Sequence, residues 1–435
     1  GTKTATSVRR GIAALRQASG LRLFHHALDE IEAVRRALAA LDGVLRVEVA
    51  GAVRRHCEVI EQLDLVAVHA GGGAREALVA ALGRAPGGGV TDITGEHGAV
   101  TLRFASGSVV DVWLTTPQRF GIDWIRATGA ASHLAALEAR AREVGVSLAQ
   151  SFSEEASVYR ALGLAWVPPE LREGDDELEA AARGSLPHLV QQGDLRGFLH
   201  CHSSYSDGTV TIAEWAHACR AAGYQWVGIT DHSTSAAFAG GLKSDDVARQ
   251  HAEIDGVNAS GGGTRVLKGV EADILADGTL DYSPEVLDSF DFVIGSIHSR
   301  FGMSEAQMTE RVLAAMDDPH LTILGHPTGR LLLQREPYAI DLERVLGKAA
   351  ARGVAVEINA DPHRLDLDWR MVRRARQLRV SISIGADAHS TSGITNVAAG
   401  LGIARKGWIQ PEQVLNTRSA EEFLAFARRR RSRAA

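Results

Sequence analysis

Nine side chains between His200 and His389 are of the types that hold divalent metal ions: His200, His202, Asp207, His232, Glu271, His298, His326, Asp387 and His389. Imidazole and carboxylate suit Zn2+, Mn2+ or Fe2+, and a carboxylate can bridge two ions. Spacing carries the argument. His200 and His202 stand two residues apart, as do Asp387 and His389, and on a β-strand such pairs share one face. A single histidine at a strand end is most often structural, but a whole series of strand ends bearing such residues is not explained that way. Asp231 reads either as a ligand or as a residue that orients one. Glu357 and His363 read as structural or peripheral. No thiolate is required, and Cys201, between two ligand positions, belongs to the opposite strand face. Clustered divalent ions acidify bound water, so hydrolysis is the chemistry on offer.

Seven short apolar runs must position these groups: GFLH (197–200), WVGIT (226–230), VLKGVE (266–271), FVIGSIH (292–298), LTILGH (321–326), VAVEI (354–358) and VSISIGAD (380–387). Six of them end on a ligand-type residue or, as WVGIT before Asp231 and His232, run directly into one, while the sixth in order carries Glu357 inside and Asn359 just after. Strands alternating with helical patterns predict a parallel α/β sheet or a closed barrel. In a barrel the C-terminal strand ends converge on one face, which brings residues distant in sequence into one pocket. Ahead of this region, residues 22–41 have the apolar spacing of an amphipathic helix. Strands are expected at Arg46–Ala50 and 63–68, and glycines at 71–73 and 87–89 mark loops. Segments 99–104 and 108–114 read as a hairpin joined through Ser106 and Gly107. The first 125 residues thus form a small α/β or α+β domain. Residues 130–165 read as helical and then extended, and 168–194 as a connector.

The chain has 435 residues, too many for one ordinary core. No apolar run approaches the roughly 18 residues of a membrane span. The start, GTKTATSVRRG, lacks the apolar stretch of a signal peptide and opens without a methionine, so further residues are expected upstream. Three cysteines make no disulfide framework, and a reducing cytoplasm is the expected compartment. A net charge of −6 argues weakly against a nucleic-acid binder, since local patches matter more than the sum. The run Arg428 to Arg431 reads first as a solvated tail.

HCHSSYSDG, GITDH, GVEADI, GSIHS, LGHP and GADAHS resemble the successive motifs of the PHP family (polymerase and histidinol phosphatase). The resemblance implies a seven-stranded distorted barrel over 195–435 with three divalent ions, Mn2+, Zn2+ or Fe2+. It puts His200, His202, Glu271 and Asp387 on one ion and makes Glu271 a bridge to a second, held by His298 and His326. Asp207, His232 and His389 would hold the third. The implied reaction is phosphoester hydrolysis, with the ions also neutralising phosphate oxygens.

Asp64 and Asp111 each lie on a predicted strand, in LDLV and VDVW. Taken alone, they read equally as a Mg2+-binding pair and as two edge-strand aspartates. The first half, however, resembles the palm and thumb of bacterial family X DNA polymerases, which carry a C-terminal PHP domain. On that resemblance residues 1–21 end a fingers helix, 22–125 form a nucleotidyltransferase-like palm, 126–167 a thumb and 168–194 a linker. The 5′-phosphate-binding domain and most of the fingers would lie outside this chain. Gly51, Arg54, Arg55 and Gly129 would face DNA or nucleotide, and Asp64 and Asp111 would be catalytic with Mg2+ or Mn2+. The chain departs from the pattern at Gln62, where an aspartate is expected, and at Ala52 and Ala130, where serines are expected. Two-metal nucleotidyl transfer needs its carboxylates, so weak or lost polymerisation is expected. The implied protein is a monomeric DNA-repair enzyme acting on gapped, nicked or 3′ ends, with dNTP as a further ligand and no membrane partner. Its PHP domain would be a 3′–5′ exonuclease or related end-processing enzyme. A small-molecule phosphatase of the histidinol-phosphatase type and a non-catalytic DNA-binding scaffold are the rivals.

Overall fold

The structure, a computed structural model, describes residues 20–70, 80, 90–96, 99–105, 107–261 and 264–434. The expected fingers segment up to residue 19, the glycine loops at 71–73 and 87–89, and Ser106 lie outside the described residues. The chain divides into two compact units, Gly1–Pro187 and His188–Ala435.

The first unit contains β1 (Arg22–Leu23), β2 (Val44–Val49), β3 (Val59–Ile60), β4 (Leu63–His69), β5 (Val90–Glu96), β6 (Ala99–Phe104) and β7 (Val109–Thr115). The main sheet runs in the order β2-β4-β7-β6-β5. Its centre is the parallel pair β4 and β7, whose register sets Asp64 opposite Asp111. The expected helix is present as Phe24–Ala39, and it turns Phe24, Ala27, Ile31 and Leu38 inward, the three-and-four spacing of one helical face. The expected hairpin is β6 with β7. Residues 130–165 differ from expectation: beyond the helix Ala131–Glu143 lies a second helix, Glu155–Ala161, not extended chain. The expected linker is also largely folded structure. Residues up to Pro187 pack in this unit through a turn at Pro169–Leu171 and a helix at Glu177–Ala182, with Leu171 and Arg172 buried. Its Pro-Pro start and acidic run mimic a connector, yet Arg172 and Glu177 find buried partners that sequence does not reveal.

The second unit is a closed barrel of seven parallel strands, ordered β10-β11-β12-β13-β14-β8-β9. They are β8 (Gly197–Cys201), β9 (Trp226–Ile229), β10 (Arg265–Asp273), β11 (Phe292–Ser296), β12 (Leu321–Leu324), β13 (Ala355–Asn359) and β14 (Ile382–Ala388). These are the seven apolar runs of the sequence, buried almost throughout, as strands covered on both faces must be. Near the strand starts, Trp226, Phe292 and Leu267 pack with Phe423, Leu424 and Ala427 of the last helix, Ala420–Ala434. Trp226 stacks on Phe423 with ring centres 4.7 Å apart. The helix thus closes the barrel end opposite the strand C-termini. Arg430 and Arg431, expected in a solvated tail, dock it: Arg430 donates to the carbonyls of Met316 and Asp318, and Arg431 to that of Phe290. Among the described residues, no helix is long and apolar enough to cross a membrane.

Candidate metal centre

The open end of the barrel brings all nine predicted side chains together around one carboxylate. Glu271, on β10, is buried to 1% exposure. Its Oε1 lies 3.3 Å from Nε2 of His200, 3.3 Å from Nε2 of His298 and 2.9 Å from Nε2 of His326. Its Oε2 lies 3.0 Å from Nδ1 of His232 and 3.7 Å from Nε2 of His202. Asp387 closes one side, with Oδ1 3.3 Å from Nε2 of His202. Asp207 closes the other, 3.3 Å from Nε2 of His389 and 3.6 Å from Nε2 of His232. Three groups have metal-binding proximity: His202, Asp207, His232 and His389; His200, His202 and Glu271; and His232, Glu271 and His298. His232 therefore serves two groups through its two nitrogens, where the sequence reading gave it one.

Local backbone geometry helps aim these ligands. His200, His326 and Asp387 all have positive φ, at 59°, 20° and 48°, a conformation that L residues adopt only when their surroundings hold them there. Such departures concentrate where side chains must be aimed rather than merely packed.

A divalent-ion site needs buried donors left free and an excess of negative potential, and both are present. Nε2 of His200, both ring nitrogens of His202, Nδ1 of His232 and Oε2 of Glu271 are buried without a hydrogen-bond partner among the described residues. Burial alone would lower the pKa values of His232 and His298, but the facing carboxylates overcome it. Glu271 and Asp207 raise His232 to about 10, and Glu271 and Asp273 raise His298 to about 9. Burial would likewise raise Glu271, yet His298, His200 and His232 hold it well below the usual carboxylate range. The pocket thus draws positive charge toward a buried carboxylate, and these residues fit divalent ions.

Several residues with a part in the site escaped the sequence reading. Glu357, read as structural, accepts from Nδ1 of His200 at 2.5 Å and from the backbone N–H of His326 at 2.7 Å. It reaches them only because residue 385 is glycine: a Cβ there would lie 1.9 Å from Glu357 Oε1. Asp273 holds Nδ1 of His298 at 2.6 Å. Its signal was available, two residues after Glu271 on the same strand face. Arg364 points its Nε at Asp387 Oδ2, 3.3 Å away, and nothing in its sequence context marks it. Asp231 is resolved as an orienting residue. It accepts from the backbone of Ser203 at 2.7 Å and from Gln250 at 2.6 Å, which fixes the loop carrying Asp207. His363 pairs with Asp361 and is half-exposed. Carboxylates behind metal-bound histidines typically contribute about 10–100-fold in metal affinity. A Glu357→Gln chain should lose that much Mn2+ affinity in a competition titration against a chromophoric chelator.

In the first unit, Asp64 and Asp111 face each other across paired strands, and the side-chain amide of Gln62 sits between them. It donates to Asp111 Oδ2 and lies 3.4 Å from Asp64 Oδ1. Asp64 is raised to about 6, by burial first and then by Asp111. Gly51, at φ 60°, turns the backbone so close that a Cβ would lie 2.2 Å from Asp64 Oδ2. Arg54 and Arg55, expected to meet nucleotide, are engaged within the unit. Arg54 is forked on Glu155 at 2.7 and 2.9 Å, and Arg55 donates to Glu173 at 2.9 Å and to the Thr128 carbonyl at 2.6 Å. Gly129 follows that carbonyl at the end of the helix Phe120–Thr128.

A model of the PHP domain matches residues 199–361. The DNA polymerase/3'-5' exonuclease PolX of Bacillus subtilis (strain 168) is 34% identical over 419 residues, 93% of this chain and 72% of that protein. A "Probable phosphatase" of Syntrophotalea carbinolica is 30% identical over 178 residues, 38% of this chain and 69% of that protein. Another, of Thermoanaerobacter, is 28% identical over 230 residues, 50% of this chain and 89% of its own length. Likeness across both units, with a PHP barrel in the second, makes the chain a member of the bacterial family X DNA polymerases that carry a C-terminal PHP domain.

Proposed function

We propose that this chain is a DNA-repair protein whose barrel hydrolyses phosphodiesters at DNA 3′ ends and whose palm does not synthesise DNA. The observation that carries the first part is Glu271, with five imidazoles within 3.7 Å of its two oxygens. That set suits divalent ions, Mn2+, Zn2+ or Fe2+, three of which the nine residues would hold. Bound there, such ions supply Lewis acidity and a water acidified toward neutral pH. The chain's own residues do the rest. Asp207 and His389, the most exposed of the nine, mark the side open to substrate. Glu357 and Asp273 fix the ring orientations of His200 and His298. Arg364, paired with Asp387 and partly open to water, presents its remaining N–H groups to a phosphate oxygen, as guanidinium groups do.

The second part rests on Gln62. Its amide already satisfies Asp111, in a place where the transferase chemistry calls for a third carboxylate. The named activity of the Bacillus subtilis relative supports DNA as substrate. We assign the chain to the cytoplasm, as a monomer that binds gapped, nicked or 3′-ended DNA. The barrel's likeness to proteins named as probable phosphatases favours one second reading, hydrolysis of small phosphomonoesters.

The test is a 5′-labelled primer–template incubated with the full chain and Mn2+, with and without dNTPs. The expected result is stepwise shortening that a chelator stops and added Mn2+ restores, with no extension when dNTPs are present. Extension with dNTPs would overturn the reading of the palm. An unchanged primer, together with phosphate release from histidinol phosphate or glycerol phosphate, would overturn the reading of the barrel in favour of the second.

A further inference from the structure

We propose that Phe238 is a stacking platform for the nucleobase at the scissile end of the substrate. This rests on the DNA reading above and names what the barrel recognises besides phosphate. Phe238 is the most exposed large apolar side chain among the described residues, at 77%. A lone apolar residue on a surface is ordinary, but its position here is not. Its ring centre lies 6.2 Å from that of His232 and 6.2 Å from that of His298, at interplanar angles of 54° and 71°. The ring therefore stands at the rim of the metal centre, beside two of the histidines that flank Glu271.

The loop that displays it is fixed. Leu242 donates its N–H to the His232 carbonyl at 2.9 Å, and Thr234 donates its hydroxyl to the Leu242 carbonyl at 2.6 Å. Ser235 donates its N–H to Asp281 at 2.7 Å, and Gly241 to the Ala236 carbonyl at 3.1 Å. Ala236 and Ala239, on either side of Phe238, are buried. At Gly241 a Cβ would lie 1.9 Å from the Ser233 carbonyl oxygen, so only glycine closes the turn. A pinned loop with small buried residues around one exposed phenyl group holds that group in water beside the site instead of folding it inward.

In a nucleotide the base stands one sugar away from its phosphate. With the phosphate at the metal centre, the base falls at the rim, where the phenyl face is open. Every base offers a π-face, so stacking here is tolerant of sequence. A small aliphatic phosphate has nothing to lay on the ring. The substrate class is therefore nucleotidic, with little preference among bases.

Calorimetry of the Mn2+-loaded full chain with deoxyadenosine 5′-monophosphate and with 2-deoxyribose 5-phosphate tests this directly. The wild-type chain should bind the nucleotide about tenfold or more tighter than the sugar phosphate. Phe238→Ala should erase that advantage and leave sugar-phosphate binding and Mn2+ content unchanged, while Phe238→Tyr should keep it. A Phe238→Ala chain that retains the advantage, or that loses both ligands alike, would overturn the proposal. The primer assay separates the two levels. A wild-type chain that shortens DNA, with an unaltered nucleotide advantage in Phe238→Ala, sinks only the stacking role. A wild-type chain that leaves DNA intact sinks the DNA reading and the stacking role with it.

Discussion

A Glu271→Gln chain is expected to hydrolyse the labelled primer at least about a thousandfold more slowly than wild type, because a metal site supplies several kcal/mol of transition-state stabilisation and each 1.36 kcal/mol is tenfold in rate. Glu271 faces five imidazoles through its two oxygens, so its removal touches every part of the centre. Glutamine keeps the volume but removes the charge, and it turns an acceptor into an N–H donor against an imidazole. Metal analysis should show fewer bound ions per chain. The overall fold should persist, because the apolar packing at the other end of the barrel, around Trp226 and Phe423, is untouched. Activity within tenfold of wild type and full metal content would rule out Glu271 as the central ligand.

The second large effect is on stability and lies in the first unit. Glu155, 5% exposed, is gripped by two guanidinium groups: Arg54 at 2.7 and 2.9 Å, and Arg172 at 2.7 and 2.9 Å. Trp166 adds an N–H at 3.2 Å. Burial alone would raise the carboxyl pKa, but the hydrogen bonds from Arg172 and Arg54 override it and hold the group down at about 2. Removing the carboxylate leaves two arginines with no anion between them, and breaking a buried pair in this way costs about 3–5 kcal/mol. Glu155→Gln should therefore speed hydrogen exchange through the helix Glu155–Ala161 and the turn at Pro169–Leu171. The sign with pH follows from the depressed pKa. The contribution, about 3 kcal/mol, is fully present above the unfolded carboxyl value of roughly 4.3 and is lost as pH falls toward about 2. Wild type should lose protection over that window, whereas Glu155→Gln should show a flatter dependence. Equal slopes in the two chains would show that the carboxylate is not the group responsible.

The metal centre was legible because its signals are local. HCH and DAH each place two ligands on one strand face, and Glu271, His298 and His326 each close or follow an apolar run whose composition marks a buried parallel strand. Barrel closure then needs no further information to bring such ends together. Asp64 and Asp111 were legible as strand residues for the same reason, and Gln62 as a departure from a motif.

What the sequence could not supply is which groups meet through space. Glu357 and His200 are 157 residues apart, and their hydrogen bond depends on barrel closure and on the gap left at Gly385. The amide of Gln62 reaches Asp111 across 49 residues because β4 and β7 pair in one particular register. Arg54, a basic residue beside a glycine turn, reads as a nucleotide-binding residue, and only the fold sets Glu155, 101 residues away, against it. Phe238 was one apolar residue in a loop, and only the pinned backbone shows that it is held outward beside His232 and His298. Residue types and strand periodicity thus determined the candidate ligand set and the barrel that carries it. The partners of each side chain were decided by tertiary structure, because a hydrogen bond or an ion pair depends on separations of a few ångströms that only the packed fold defines.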